Sequence, residues 1–311
     1  MPEFKDTEQP TSRVVPVSIV IPTFNRAAML PKAIDSALAQ TSPVEVIVIN
    51  HGSTDDTDAV VAAYGDRVRY IKRADDFGPH FCWLEGVLQA KGDFIHLQYD
   101  DDWIEPEFIA ECMKVLTDSA GFSFCCADIF DEDAGAVQTT LFKNWLPATG
   151  TYPCKRIEKR VLGGLISPGA AVYRKQILLD ALYQGRLPLA KAEYHGVGPD
   201  CFVTLLSMLR YHKVGFVRAS LATFRAHDGS ITIGASRESE KKLQIASAYN
   251  EVKRYYGEMK FLRLLRRIPG YTFRHHLKLR VRNILRQLVL YVFSKYLETK
   301  LLRLMRRLMG L

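Results

Sequence analysis

The chain has 311 residues, 48% of them hydrophobic and 24% charged, which is ordinary for one large or two average folded domains. This excludes a disordered chain, a collagen-like repeat and a small disulfide scaffold. The 42 Lys and Arg against 34 Asp and Glu leave a net charge of +8, spread unevenly: Tyr255 to Leu311 holds fourteen basic and two acidic residues, +12, which leaves −4 for the rest.

Residues 1–15 are polar and read as a flexible leader, without the apolar core of a signal peptide. Val17 to Ile21 (VSIVI) is a continuous apolar run, the mark of a strand buried on both faces, ended by Pro22. Ala27 to Gln40 has helical spacing. Val44 to Ile49 (VEVIVI) is a second strand. Thr57 to Tyr64 is a short helix with Ser53, Thr54 and Asp55 as candidate caps. Val68 to Ile71 is a third strand and Phe81 to Ala90 a helix stopped by Lys91-Gly92. Phe94 to Tyr99 is a fourth strand, and Glu105 to Leu116 a helix with Pro106 in its first turn. Four alternations of strand and helix predict a parallel α/β sheet.

Regularity then falls. Gly121 to Ala127 reads as a strand, Asp131 to Thr151 as a loop or β-excursion, and Pro168 to Tyr173 as β-prone. Cys201 to Tyr211 is a helix, Val214 to Phe224 one or two strands, and from Glu238 the pattern is helical, interrupted at Pro269-Gly270. No run approaches the roughly 18 apolar residues of a membrane span. The six cysteines show no zinc-like spacing and read as buried thiols of a reducing compartment.

Asp100-Asp101-Asp102 directly follows the strand FIHLQY. Ligands of open α/β sheets bind beyond the carboxyl ends of strands. Three adjacent carboxylates there call for a positive partner, and Mg²⁺ or Mn²⁺ held by one or two carboxylates plus phosphates would supply it. The alternative is a solvated acidic turn capping the next helix. The first strand ends in Pro22-Thr23-Phe24-Asn25-Arg26 and the second in Asn50-His51-Gly52-Ser53-Thr54-Asp55-Asp56. Three neighbouring strand ends thus carry groups able to pack and read a nucleotide.

The set VSIVIPTFNR, VIVINHGSTDDT, GDFIHLQYDDDW and a downstream GPD resembles the family 2 glycosyltransferases of GT-A fold, over roughly residues 15–230. The resemblance implies a Rossmann-like α/β fold with a mostly parallel central sheet flanked by helices. It implies a nucleotide-diphosphate sugar donor, a divalent metal (Mn²⁺ or Mg²⁺) and inverting transfer in one displacement. By resemblance, Pro22, Phe24, Asn25, Asn50 and His51 line the nucleobase pocket, and Asp100 and Asp101 contact ribose and metal-diphosphate. Asp102 is a further ligand or support, and His227 in FRAHDGSIT completes the metal site. Gly169 in SPGAAVYR belongs to an acceptor-side loop. Asp200 in GVGPD is the catalytic base, with Glu193 in reserve on the same loop. An inverting transfer needs one such base to take the acceptor's hydroxyl proton. Residues 16–237 would form the catalytic domain, nucleotide-binding over about 16–118 and acceptor-binding over about 119–237.

The family commonly has Asp-Asp where this chain has Asn50-His51. Both residues can accept a hydrogen bond, so UDP- or TDP-linked donors stay favoured. An Arg-Asn pair usual in the family is missing from GPHFCWLEG, which leaves phosphate contact to Arg73 or the metal.

In the region 238–311, Leu277, Val281, Ile284, Leu285, Leu288, Val292 and Leu297 recur at helical spacing with Arg280, Arg282, Arg286 and Lys295 between them. A cationic amphipathic helix of this kind reads as a binder of an anionic membrane surface, the alternative being a helix packed on the catalytic domain with a solvated basic face. The expected place is the cytoplasmic side of the plasma membrane, peripheral, with a glycan or lipid-linked acceptor of lipopolysaccharide or cell-surface polysaccharide synthesis. No stacking aromatics alternate with the basic residues, so nucleic acid is not expected. The competing readings are a GT-A-like binding or scaffold protein without turnover, and a nucleotidyltransferase; the latter lacks its Gly-rich loop after the first strand.

Overall fold

The computed structural model describes residues 16–182, 198–227, 239–265 and 281. β1 (Val17–Thr23) is buried at every residue, as its unbroken apolar run demands. α1 (Leu30–Leu38), β2 (Val44–His51), α2 (Thr57–Ala62), β3 (Arg69–Arg73), α3 (Pro79–Gln89) and β4 (Phe94–Leu97) follow in alternation. β1 runs parallel to β2 with Val17 opposite Val44 and Thr23 opposite Asn50, and parallel to β4 on its other side. β3 joins β2 in parallel, with Arg73 opposite His51. This register brings the carboxyl ends of four strands to one edge, and the loops leaving that edge carry the predicted site. α3 lies directly on β1: a Cβ at Gly86 would stand 2.3 Å from Val20 Cγ1, so only glycine permits this approach.

Beyond β4 the sheet becomes mixed. β5 (Trp103–Ile104), α4 (Phe108–Val115), β6 (Ala120–Asp131), β7 (Ala136–Leu141), β8 (Gly150–Pro153), α5 (Glu158–Gly163), β9 (Ala171–Arg174), α6 (Lys175–Leu182), α7 (Pro199–Arg210), β10 (Lys213–Ala226) and α8 (Ser239–Leu265) complete it. The order across the sheet is β3-β2-β1-β4-β9-β6-β10-β5. β9 is antiparallel to both β4 and β6, while β10 is parallel to β6. The parallel arrangement read from the sequence therefore describes β3-β2-β1-β4 and β6-β10, and antiparallel pairs join the rest. Irregularities in the β10 register between Val217 and Ala222 bend the strand. Its far end then reaches β5 and the acidic turn.

Phe122, Phe124, Tyr173 and Phe216 are fully buried at the centre of this half, with Phe122 stacked on Tyr173 at 5.3 Å. The Tyr173 hydroxyl meets Thr204 Oγ1 at 2.7 Å and ties the sheet to α7, fixing where that helix begins.

One helix start needs correction, and readings that the sequence left open are decided. The helix predicted from Glu105 starts at Phe108, because Trp103–Ile104 pairs with β10 and Glu105 N–H donates to Leu221 O. Pro106 therefore precedes the helix. Asp131 to Thr151 contains two strands, β7 paired with β6 and β8 paired with β10. Val214 to Phe224 is one long strand. All six cysteines are buried and free. Contacts divide the chain into two compact units, one ending at Gly257 and the other starting at Glu258. The first part of α8 thus packs with the unit that holds the sheet, past the expected boundary at 237. The leader 1–15, and the tail from 266 apart from Val281, lie outside the described residues. No helix among the described residues is long and apolar enough to cross a membrane.

Candidate functional site

The acidic turn begins where β4 ends, and its three carboxylates have three environments. Asp100 is half-buried, and its partial removal from water pushes its carboxyl up to about 7; the charge of Asp101 adds to this and Arg26 opposes it. Asp101 Oδ2 accepts a hydrogen bond from Arg26 Nη1 at 2.7 Å and lies 3.0 Å from His227 Nε2. Arg26 Nη1 is itself 3.2 Å from that ring nitrogen. One carboxylate oxygen, one imidazole nitrogen and one guanidinium therefore share a single point, assembled from the β1–α1 loop, the acidic turn and the end of β10. Asp102 points elsewhere. Its Oδ1 accepts the Arg225 backbone N–H at 2.9 Å, and burial holds its carboxyl well above the usual range. Arg225 also donates to Asp101 O at 3.1 Å and to Glu132 Oε1 at 2.9 Å. Asp102 thus braces the acidic turn against β10, the support that is one of the two roles expected of it.

Among the described residues no three His, Cys, Asp or Glu side chains converge as a metal site. The residues present still suit a hard divalent ion of limited protein coordination. Asp101 and His227 offer two ligands at one point, and phosphate oxygens and water can supply the remainder. In this state Arg26 provides the positive charge. Arg26 was not singled out from the sequence; its signal was the cation directly after PTFN.

The nucleotide side is built from two loops clipped together. Asn25 adopts φ +52°, a conformation Asn tolerates. Its N–H donates to Ser53 Oγ at 2.9 Å, and its Oδ1 accepts from Thr54 N–H at 2.8 Å. Ala27 N–H donates to Asp55 Oδ2 at 2.9 Å. Asp55 also accepts from Thr57 N–H at 3.1 Å, so the expected helix cap doubles as a loop clip. Asn50 is fully buried. Its Oδ1 accepts from Ser53 N–H and its Nδ2 donates to the Tyr70 hydroxyl at 2.7 Å. Asn25 and Asn50 therefore shape the loops, and Asn50 has no exposed edge for reading a base. Pro22 is buried opposite Ile49, whereas Phe24 is 44% exposed at the rim.

His51 is buried, with Nε2 2.9 Å from Glu85 Oε2. Arg73 also binds Glu85 and, with burial opposing, keeps its carboxyl below the usual range. An ionised carboxylate only accepts, so Nε2 carries the proton and Nδ1 is left as an acceptor when the ring is neutral. That Nδ1 is buried without a hydrogen-bond partner. The ring also meets the edge of Phe77, which is 54% exposed, at 5.6 Å. Arg73, expected to contact phosphate, is held by Glu85 instead.

On the acceptor side, a Cβ at Gly169 would stand 3.1 Å from both the Phe224 and Tyr99 rings, so this glycine lets the loop close on the acidic turn. Tyr99 is half-buried and its hydroxyl is held far from ionisation, by its removal from water first and by the Asp200 and Asp102 carboxylates as well. It thus lies under the influence of both halves of the site. Asp200 opens α7. Its Oδ1 accepts from Gly198 N–H at 2.9 Å and Cys201 N–H at 2.7 Å, and its Oδ2 accepts from the Tyr249 hydroxyl at 2.8 Å. Burial pushes its carboxyl up to about 6 against these three bonds. Tyr249, on α8, had no signal in the sequence. Glu193 lies outside the described residues.

A family model, "Glycosyl transferase family 2", matches residues 18–180, more than half of the chain. An uncharacterized glycosyltransferase of Rickettsia typhi is 37% identical over 101 residues, 32% of this chain and 31% of that protein. The succinoglycan biosynthesis protein ExoO of Rhizobium meliloti is 36% identical over 111 residues, 35% of this chain and 32% of that protein. The matched part thus spans about a third of the length of these relatives. Among solved structures, S. aureus TarS 1-349, in complex with UDP-GlcNAc, is similar with a TM-score of 0.57 at 18% identity, over 78% of this chain and 66% of that one. The mannosyltransferase PcManGT from Pyrobaculum calidifontis, in complex with GDP-Man and Mn²⁺, has a TM-score of 0.51 at 14% identity, over 87% of this chain and 80% of that one. At these identities the structural likeness concerns the fold, a GT-A arrangement.

Proposed function

We propose, from the premise that this chain belongs to glycosyl transferase family 2, that it moves a sugar from a nucleotide-diphosphate donor to a hydroxyl of a glycan or lipid-linked acceptor. The observation that carries this reading is the meeting of Arg26, Asp101 and His227 beyond the strand ends, beside two loops clipped together by Asn25 and Asp55. Phe24 and Phe77 at the rim offer faces for a base. TarS with UDP-GlcNAc supports a nucleotide-sugar donor.

In the proposed transfer, Asp200 takes the proton of the acceptor hydroxyl as that oxygen bonds to the anomeric carbon. The bond from that carbon to the diphosphate breaks, and its electron pair leaves on the diphosphate, so configuration inverts. Arg26 lies where it can meet the growing negative charge. A divalent metal, when bound by Asp101 and His227, would neutralise the same charge as a Lewis acid. The Mn²⁺ complex of PcManGT supports that assignment. The basic segment near the C-terminus would hold the enzyme peripherally at the cytoplasmic face of the plasma membrane, where lipid-linked acceptors gather. The name of ExoO supports a polysaccharide product.

Calorimetric titration with UDP, GDP, CDP and TDP, each with Mn²⁺ and with EDTA, tests the reading. Metal-dependent binding of one nucleotide, lost in Asp101→Ala, is expected. A folded protein that binds none of them refutes it.

A further inference from the structure

We infer that Tyr249 is a positioning residue for the base: its hydroxyl holds Asp200 so that one lone pair of Oδ2 faces the acceptor. This role rests on the reading of Asp200 as the base. A carboxylate has about four lone-pair sites. Two backbone N–H groups fill those of Oδ1, and Tyr249 fills one of the two on Oδ2. The carboxyl is 7% exposed, so bulk water does not supply a substitute for that third bond. Held at three points, and at no fourth among the described residues, such a group is pre-organised to receive one hydroxyl.

The seat of Tyr249 is itself built. Ala248, Val252 and Tyr256 form one buried face of α8 at helical spacing. Tyr255 meets the Phe202 ring edge-on at 5.6 Å, and the Tyr256 hydroxyl donates to Glu158 Oε1 at 2.9 Å. At Gly198, which adopts φ +106°, an added Cβ would stand 3.5 Å from Val252 Cγ2, so the turn into α7 lies against α8. α8 therefore completes the base site from outside the sheet.

Tyr249 has a second consequence, for proton affinity. Its O–H donates to the charged form of Asp200 and so opposes the burial that raises that carboxyl to about 6. The other groups near Asp200 are Tyr99 from the acidic turn, Tyr173 from β9, Cys201 from α7 and, next to Cys201 and Tyr249, Lys253 from α8. Burial holds both tyrosines neutral and pushes Cys201 up to about 12. None of these three changes charge between pH 5 and 8, so among the described residues Asp200 titrates there alone of the carboxyl, thiol and phenol groups around it.

The experiment follows the carboxyl C=O stretch of ¹³C-Asp-labelled full-length protein from pH 4 to 9 by infrared difference spectroscopy, with Asp200→Asn assigning the band. In parallel, nucleoside diphosphate release is measured from UDP-GlcNAc and GDP-Man. Tyr249→Phe is expected to move the band midpoint, and the acid limb of turnover, upward by roughly one unit. Plateau turnover is expected to fall several-fold with the donor KM unchanged. Tyr255→Leu, which loosens the same helix but keeps the hydroxyl, is expected to leave the midpoint in place. An unmoved midpoint in Tyr249→Phe, or a shift of equal size in Tyr255→Leu, overturns the role. So does faster plateau turnover in Tyr249→Phe, which would make the hydroxyl an obstruction. Retained turnover in Asp200→Asn refutes Asp200 as the base instead, and the infrared midpoints then still report whether Tyr249 sets that carboxyl.

Discussion

Asp101 Oδ2 is a single oxygen claimed by two cations, the Arg26 guanidinium now and a divalent metal in the proposed cycle. Both side chains are less than a third exposed, so the pair is only partly screened. A hydrogen bond between charged groups in such a setting contributes about 1.5–3 kcal/mol. Arg26→Gln should therefore bind Mn²⁺ about tenfold more tightly in the absence of nucleotide, and an unchanged affinity in a calorimetric titration would count against competition at this oxygen. Asp200 gives a second test at the same scale. Its folded carboxyl is raised from 3.8 to about 6. A raised carboxyl favours the folded state less as pH climbs from the unfolded value through 6, and the full cost persists above 6. Two units correspond to roughly 3 kcal/mol at most. Asp200→Asn keeps an oxygen for Gly198 and Cys201, so its melting temperature should exceed that of the parent at pH 8, and the gap should shrink toward pH 4. A lower melting temperature at pH 8 would mean that the three hydrogen bonds outweigh burial.

At the scale of elements, β1, β2 and β4 were legible because each is a mostly apolar run, and such runs leave little choice of face or partner; the edge strand β3, RYIKR, is short and largely exposed. The helix caps were less so: Asp55 was recognised as a cap, but its second bond, to Ala27, joins loops 28 residues apart and has no local pattern. The same distance hid β5, a two-residue strand made only by pairing with Ala222 and Thr223. The Asn25 clip can be probed directly. Asn25→Ala must hold a positive φ without the side-chain bond to Thr54, a loss of about 2 kcal/mol. Asn25→Gly keeps the backbone conformation and should recover part of that loss by chemical denaturation. Both variants lack Oδ1, so both should bind nucleotide more weakly than the parent. Parent-like nucleotide affinity in Asn25→Ala would separate the clip from the site.

At the scale of the molecule, the candidate site was legible where one loop carries its own chemistry, as in Asp100 to Asp102 or GVGPD. It was illegible where the partner comes from afar. Arg26 lies 75 residues from Asp101, and Tyr249 lies 49 from Asp200 on a helix with little amphipathic pattern. The catalytic unit was expected to end at 237, where the helical pattern begins, whereas contacts carry the compact unit to Gly257. The two boundaries make opposite predictions for shortened chains. Cutting after 237 removes the buried faces of Ala248, Val252 and Tyr256. Their burial contributes about 4–6 kcal/mol, comparable with the whole stability of many domains. That fragment should be unfolded or aggregated, whereas 1–265 should fold and keep its affinity for nucleotide. The same 1–265 chain lacks twelve of the fourteen basic residues that follow Tyr255, keeping Lys260 and Arg263. If the basic segment holds the enzyme to anionic lipid, 1–265 should no longer sediment with phosphatidylglycerol vesicles. The full chain should sediment at low salt and be released as salt rises, because the attraction between exposed charges is screened within about a Debye length. Equal sedimentation of the two chains would assign membrane contact to the folded unit instead.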